Sequence, residues 1–151
     1  MIRAWEEHDR EALRPLVGDC LASTYDNGAD LKPSAMNVAY LIEFGLARAA
    51  AGDPCLLWEK DVGIIAYTLW AEMANPLNLD FRGKVCYGFG TYVLPNWRRR
   101  GISDQLRDAA EARAKLAGFV KVVGTAYHET GLVSCLNRGY RVAGAYVEKT
   151  L

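Results

Sequence analysis

The feature that most constrains the fold is a glycine-bearing strand followed directly by an arginine-rich turn and a helix. The strand-like run 85–93 contains Gly88 and Gly90, and Pro95 ends it before a helix predicted over 102–117. Glycines inside a strand often mark a bulge or the close approach of another backbone or a ligand. The order of strand, short turn and helix therefore predicts a βα unit whose turn lies at a helix N-terminus.

Three consecutive arginines, Arg98, Arg99 and Arg100, occupy that turn, where the helix dipole is positive. Each cation there costs tenths of a kcal/mol up to about 1 kcal/mol. A bound anion would reverse this sign and would also accept from the free amides of the first turn. Gly101 lets the backbone approach such an anion closely, so a pyrophosphate would meet both demands. The alternative is a solvated basic turn with Asp104 as its counter-charge.

The other periodic patterns predict a mixed α/β sheet with the element order β-α-α-β-β-β-α-β-α-β. Asp9 is predicted to cap the first helix, and a turn at 26–28 follows that helix. The second helix begins near Ser34 and ends at Gly52. The remaining predicted strands are 1–5, 55–58, 62–70, 120–123 and 140–148, and a short helix spans 130–137.

Composition and length limit the class of protein. A chain of 151 residues, with 51% hydrophobic and 24% charged residues, suits one globular domain over 1–151. The four cysteines are far apart and form no CxxC pair, so we predict no metal site and a reducing compartment. No apolar run is long enough to span a membrane, and the N-terminus does not resemble a signal peptide. We therefore expect a cytoplasmic protein.

Charge divides the chain into two halves. Residues 1–75 contain 6 Lys and Arg against 12 Asp and Glu, whereas residues 76–151 contain 12 against 6. One interpretation is that these charges neutralise each other across the fold. The other is that the second half holds an anionic ligand and the first half attracts a cationic one.

Two motifs resemble those of a known family. The pattern Val93-x-Pro95-x-x-Arg98-x-x-Gly101-x-Ser103 resembles the acetyl-CoA signature of the GCN5-related N-acetyltransferases (GNAT), and 136–140 resembles their later helix-to-strand corner. The predicted element order also matches, so the resemblance covers nearly the whole chain. It implies a mainly antiparallel central sheet flanked by helices, with acetyl-CoA as the acyl donor.

The resemblance also implies roles for individual residues. Backbone groups of Tyr92 and Val93 would hold the pantetheine arm, and Arg98 would flank the pyrophosphate. The thioester would lie between the strands that end at Val93 and near Thr125. Catalysis would be mostly positioning, with direct attack by an amine. The amides predicted to cradle the pyrophosphate belong to Arg99, Arg100, Gly101, Ile102 and Ser103.

The sequence departs from the family pattern at several positions. Ser103 replaces the usual Gly or Ala, and His128 lies near the position of a common Asn. Cys135 stands where a Tyr commonly protonates the leaving thiolate, and its alternative role is that of a small packed residue. Tyr127 is a possible substitute acid.

The general base is not marked by any motif, because the strand 84–93 contains no carboxylate. Glu72, Glu43 and His128 are the candidates, and each has an alternative as a surface or structural residue. His128 titrates near neutral pH and lies close to the predicted cleft. Only 12 residues follow Gly139, so the family's last strand is either absent or supplied by a partner in a homodimer.

Two functions from different classes follow. The first is an acetyl-CoA-dependent N-acetyltransferase acting on a primary amine, either a small molecule or a protein amino group, with Glu43 and Glu72 on an acidic rim that attracts a cationic acceptor. The second is a non-catalytic acyl-CoA-binding or interaction module on the same fold. Nucleic-acid binding is disfavoured, because net neutrality and a single short basic cluster supply few phosphate contacts.

Overall fold

Five strands form one sheet in which the spatial order β1-β2-β3-β4-β5 follows the chain. A computed structural model describes residues 1–26, 32–73, 83–126 and 129–142. The strands are β1 (Ile2–Ala4), β2 (Leu56–Lys60), β3 (Gly63–Met73), β4 (Lys84–Val93) and β5 (Phe119–Gly124). The helices are α1 (Arg10–Asp26), α2 (Ala35–Ala50), α3 (Ile102–Leu116) and α4 (Glu129–Asn137), and short 3-10 turns span Glu7–Asp9 and Pro95–Trp97.

The pairing is antiparallel from β1 to β4 and parallel between β4 and β5. The parallel pair follows from the chain path, since α3 crosses over between those two strands. This arrangement confirms the predicted mixed, mainly antiparallel sheet with flanking helices. Of the predicted last strand, 140–142 are not in strand conformation, and the rest lies outside the described residues.

The sheet separates two apolar cores. Helices α1 and α2 cover one face, where Leu13 and Ile42 pack with Leu57 and Tyr67. Helix α3 covers the other face, where its buried residues pack against the opposite side chains of the same strands. Those residues are Ile102, Leu106, Ala110 and Ala114 from α3, with Leu56, Ala66, Trp70 and Cys86 from the sheet. The alternation of strand side chains thus gives one sheet two cores.

The start of α2 matches the sequence prediction, whereas the start of α1 does not. The Ser34 hydroxyl accepts from the Asn37 amide at 3.2 Å and caps α2. The Asp9 carboxylate does not cap α1. It accepts two bonds from the Arg3 guanidinium, both at 2.7 Å, and one from the Glu6 amide at 2.8 Å. Burying a carboxylate is costly unless a cation pairs with it, so the buried Asp9 pairs with Arg3 instead of capping α1.

Within the part of the chain that the structure describes, no helix combines the length and apolar character needed to cross a bilayer.

Candidate functional site

Strands β4 and β5 separate halfway along β4. Their register runs from Lys84 opposite Phe119 to Gly88 opposite Gly124, where β5 ends. A Cβ atom on Gly124 would lie 3.3 Å from the Gly88 carbonyl oxygen, so the strands are packed tightly just before they part. Beyond this point β4 continues to Val93 with β3 as its only strand neighbour among the described residues.

A β-bulge lies at the same point. Gly90 pairs with Leu69 and Gly88 pairs with Trp70, which leaves Phe89 as the extra residue of β4. A Cβ atom on Gly88 would lie 3.1 Å from the indole nitrogen of Trp70, so this glycine makes room for the ring. The two strand glycines thus mark both a bulge and a close approach, as the sequence predicts.

The backbone of the open half of β4 alternates in direction. The Leu94 amide donates to the Ile65 carbonyl at 3.0 Å, which makes these residues a hydrogen-bonded pair across β3 and β4. In an antiparallel ladder such pairs alternate with pairs whose backbone groups turn away. Tyr92 therefore faces β3, whereas Thr91 and Val93 turn their amides and carbonyls towards the gap left by β5.

The turn after β4 has the geometry of an anion cradle. Arg99 and Gly101 both have positive φ, 61° and 70°. The amides of residues 99–104 donate to no acceptor within the described parts of the chain. They lie at the N-terminus of α3, where the helix dipole adds positive potential. The strained φ of Arg99 is sustained at a place where free amides gather, which is typical of ligand-binding turns.

The three arginines of the turn have no carboxylate partner among the described residues. Arg98 donates to the Val93 carbonyl at 3.0 Å, and its guanidinium lies 5.5 Å from the centre of the Tyr92 ring. Arg100 lies 4.9 Å from the centre of the Trp97 ring. Asp104, the counter-charge considered above, instead lies 3.8 Å from Arg138 of the segment after α4. The structure therefore offers no support for a turn neutralised locally by Asp104.

A cleft of about 580 Å³ lies between the N-terminal part of α3 and α4. Helix α4 has no buried residue, and polar side chains hold it against α3. Arg138 donates to Asp108 at 2.5 Å and to Glu111 at 3.1 Å. The Tyr140 hydroxyl also donates to Glu111, at 2.9 Å. Burial, and then this bond to a carboxylate, raises the pKa of Tyr140 well above its usual value.

Of the sequence candidates for proton transfer, the structure describes Cys135 and Glu72. Cys135 is half-buried in α4, where its carbonyl accepts from the amides of Arg138 and Tyr140. Tyr127 and His128 lie outside the described residues. The roles of these residues in proton transfer stay predictions.

The two carboxylates predicted for an acidic rim are both engaged by cations. Glu43 on α2 accepts from Arg10 of α1. Glu72 lies 3.6 Å from Arg48 and 3.8 Å from Lys84, and it pairs with Cys86 in the half of β4 that is distant from the turn. The two side chains therefore occupy separate surroundings, and each has a structural ion pair.

Sequence reasoning missed Thr91, Gly124 and the bulged Phe89. Thr91 and Phe89 could have been found only from the register of β3 and β4, since nothing in the sequence says which residue is extra. Gly124 had a local signal, because it follows a run of four strand residues. In the described residues, no group of three or more His, Cys, Asp or Glu side chains is arranged to hold a metal.

Comparison with known proteins agrees with this geometry. A Bacillus halodurans protein, solved as a point mutant, is 17% identical over 100% of this chain and 99% of its own, with a TM-score of 0.79. A Clostridium acetobutylicum protein, described as a predicted acetyltransferase and solved with acetyl-CoA, is 18% identical over 99% and 95%, with a TM-score of 0.76. An aminoglycoside 6'-N-acetyltransferase from Acinetobacter haemolyticus is 20% identical over 100% and 94%, with a TM-score of 0.63.

These similarities show a shared fold. The acetyltransferase (GNAT) family model matches residues 17–140, which include α2, β2 to β5, α3 and α4. The chain therefore belongs to the GNAT acetyltransferase family. No protein with a curated description matches it in sequence.

Proposed function

We propose that this chain is an acetyl-CoA-dependent N-acetyltransferase that acts on a primary amine. The observation that carries the proposal is the junction of two open sites. The half of β4 without a β5 partner leads directly into a turn at a helix N-terminus. Among the described residues, the amides of that turn have no acceptor and its three arginines have no carboxylate partner. A ligand that has a pyrophosphate at one end and an amide-containing arm at the other complements this junction.

The residues present fit that donor. The amides of residues 99–103 and the guanidinium of Arg98 would hold the pyrophosphate. Space is available for it, because a Cβ atom on Gly101 would meet only the Gln105 side-chain amide, at 3.7 Å. The pantetheine arm would bond the outward backbone of Thr91 and the outward amide of Val93, since the Val93 carbonyl already accepts from Arg98. The alternation of the ladder favours Thr91 over Tyr92 for this role.

Acetyl-CoA supplies an activated acyl thioester, and the protein supplies position. An amine held at the split of β4 and β5 reaches the acyl carbon, and outward amides of β4 can donate to the acyl oxygen. The amine nitrogen must be unprotonated to attack, so a base must remove its proton. We retain His128 and Glu72 as candidate bases and Tyr127 and Cys135 as candidate acids for the leaving thiolate.

The donor site is tested by calorimetric titration with acetyl-CoA of the wild type and of Gly101→Glu. Glutamate at this position places a negative charge where the pyrophosphate would lie, and we expect the loss of binding to exceed about a hundredfold. Gly118→Glu is the matched control. Gly118 follows the other end of α3, has φ of 83°, and has open space around its Cβ position, so the two variants carry similar backbone strain.

Equal binding by Gly101→Glu and the wild type would contradict this donor site, as would a wild type that does not bind acetyl-CoA. Turnover separates the enzyme from the alternative acyl-CoA-binding module. Consumption of acetyl-CoA that depends on an added amine supports the transferase. Tight binding with no turnover across primary amines of every class would instead favour the module.

A further inference from the structure

Four aromatic rings form a continuous row on the α1/α2 face of the sheet. The ring centres of Tyr40 and Phe44, one turn apart on α2, lie 6.4 Å from each other. Phe44 contacts Phe89 edge to face at 5.2 Å, and Phe89 contacts Tyr87 in the same way at 4.8 Å. We call these four residues the aromatic row.

The aromatic row ends at the split of β4 and β5. Phe89 is the bulged residue of β4, and the Tyr87 hydroxyl lies 2.8 Å from the hydroxyl of Thr125, which directly follows β5. Helix α3 and the cleft between α3 and α4 lie on the opposite side of the sheet. A molecule resting on the aromatic row would therefore approach the split from the face opposite to α3.

Two rings of the aromatic row are exposed to solvent and are not part of the core beneath them. Tyr40 is 65% exposed and Phe89 is 42% exposed, although both contact other aromatic rings. The core on this face contains neither of them, and it is closed by other side chains of α1 and α2. A contiguous exposed aromatic surface beside a functional cleft is typical of a ligand-binding wall.

Charge near the aromatic row argues against a strongly cationic ligand. Glu43, the residue before Phe44, is paired with Arg10, and that pair lies beside the separate groove lined by Glu6 and Glu7. Among the described residues, no carboxylate forms a hydrogen bond with the hydroxyl of Tyr40 or Tyr87. Polycationic amines are normally held by several carboxylates, whereas the part of this surface that the structure describes consists of aromatic rings.

We propose that the aromatic row is the acceptor subsite and that it selects amines carried on an aromatic group. This inference rests on the proposed function and specifies its substrate class. The aryl ring of the acceptor packs against Phe89 and Tyr40, and its aminoalkyl arm reaches the split beside Thr125. Aromatic contacts of this kind strengthen binding by about two- to tenfold each beyond the burial of area.

The test compares three primary amines with the wild-type protein: 2-phenylethylamine, n-hexylamine and spermidine. The first two have similar apolar size, so their ratio isolates the ring, and spermidine represents polycations. We expect kcat/KM for 2-phenylethylamine to exceed that for n-hexylamine about tenfold, and spermidine to be the poorest acceptor.

Variants then locate the effect. Tyr40→Ser and Phe89→Ala are each expected to reduce the preference for 2-phenylethylamine about threefold, through KM rather than kcat, and Tyr40→Phe retains it. Leu116→Ala is the matched control, because it removes a 90% exposed apolar side chain at the far end of α3. Tyr40 is exposed enough that its replacement leaves folding intact, which circular dichroism checks.

The outcomes separate this inference from the function on which it rests. If acetyl-CoA fails to bind, both are overturned. If acetyl-CoA binds but n-hexylamine or spermidine is the better acceptor, or the Tyr40 and Phe89 variants leave the preference unchanged, this inference alone fails. If no amine turns over, saturation-transfer NMR on the acetyl-CoA-loaded protein compares the binding of 2-phenylethylamine and n-hexylamine. Equal saturation transfer to these two amines would contradict this inference.

Sedimentation tests a different role for the aromatic row. A dimer that Tyr40→Ser dissociates would make the aromatic row a subunit interface, and would also overturn the inference.

Discussion

The two halves of β4 differ in the hydrogen-bond partners of their backbone amides and carbonyls. From Lys84 to Gly88 the strand is paired on both sides, with β3 and with β5. After the bulged Phe89, the strand from Gly90 to Val93 is paired only with β3 among the described residues, and it leads into the arginine turn. Backbone donors and acceptors are obligatory hydrogen-bonding groups, so the first half uses them for the sheet. In the second half the backbone groups of Thr91 and Val93 turn away from β3, and of these the Val93 carbonyl accepts from Arg98.

The side chains follow this division only in part. Val85 and Cys86 of the paired half are buried, with at most 3% of their surface exposed, but Lys84 is exposed. The open half contains the exposed Phe89 and the half-buried Thr91 and Val93, but also the buried Tyr92. The two halves therefore differ chiefly in their backbone pairing, and the bulge is the boundary between them.

The largest expected difference between the halves is in thiol reactivity. Burial, and then the nearby charge of Asp53, raises the pKa of Cys86 to about 12. The reactive thiolate is therefore scarce at pH 8, and its fraction increases about tenfold per pH unit up to pH 10. We expect Thr91→Cys, in the open half, to react with iodoacetamide at least about a hundredfold faster than Cys86 at pH 8.

Mass spectrometry of the labelled peptides measures both rates in one sample. Added acetyl-CoA is expected to protect the thiol introduced by Thr91→Cys and to leave the labelling rate of Cys86 unchanged. Similar rates for the two positions of β4 would show that the strand is not divided as described.

Proline substitutions compare backbone amides that face β3 with those that face the gap in the open half. Gly90→Pro removes an amide that faces β3 and leaves the Leu69 carbonyl without its ladder partner. Thr91→Pro removes an amide that faces the gap. We expect Gly90→Pro to lower the free energy of unfolding by about 2 kcal/mol more than Thr91→Pro.

Urea denaturation measures the stabilities, and calorimetry measures acetyl-CoA binding by Thr91→Pro, which should weaken. Thr91→Val is the control, because the Thr91 hydroxyl also contacts that of Thr68 at 2.8 Å. A Thr91→Pro variant as unstable as Gly90→Pro would contradict the assigned alternation.

The smallest expected effect concerns the residues just after α4, which bond to α3. Tyr140→Phe removes the bond to Glu111 and leaves that carboxylate to Arg138, so we expect a loss of about 1 kcal/mol in unfolding free energy. Tyr40→Phe, which removes the hydroxyl of an exposed ring, should change stability by less than half as much. Equal losses in denaturant melts would show that the bond between Tyr140 and Glu111 does not stabilise the fold.

Local signals in the sequence predicted most elements of the fold. Residues within about ten positions along the chain encode each of three features: the Ser34 cap, the helical stripe of α2 and the strand–turn–helix unit around Gly101. Each depends on backbone preferences and short-range hydrogen bonds, which neighbouring residues decide. Asp9 was the exception, because its distant partner Arg3 outweighed its local preference for a cap.

The features of the candidate site also divide into those that local sequence predicts and those that depend on tertiary contacts. The arginines and Gly101 were visible in the sequence, since free amides and positive charge at a helix N-terminus are local properties. The partner of Asp104, the outward direction of Thr91 and the ring contacts between Phe44 and Phe89 were not. These depend on registers between strands and on helices packed across the sheet, where a shift of one residue reverses every side chain. The sequence by itself determined an α/β chain with a basic turn at a helix N-terminus, and only the tertiary structure decided which backbone groups and which rings surround the split in the sheet.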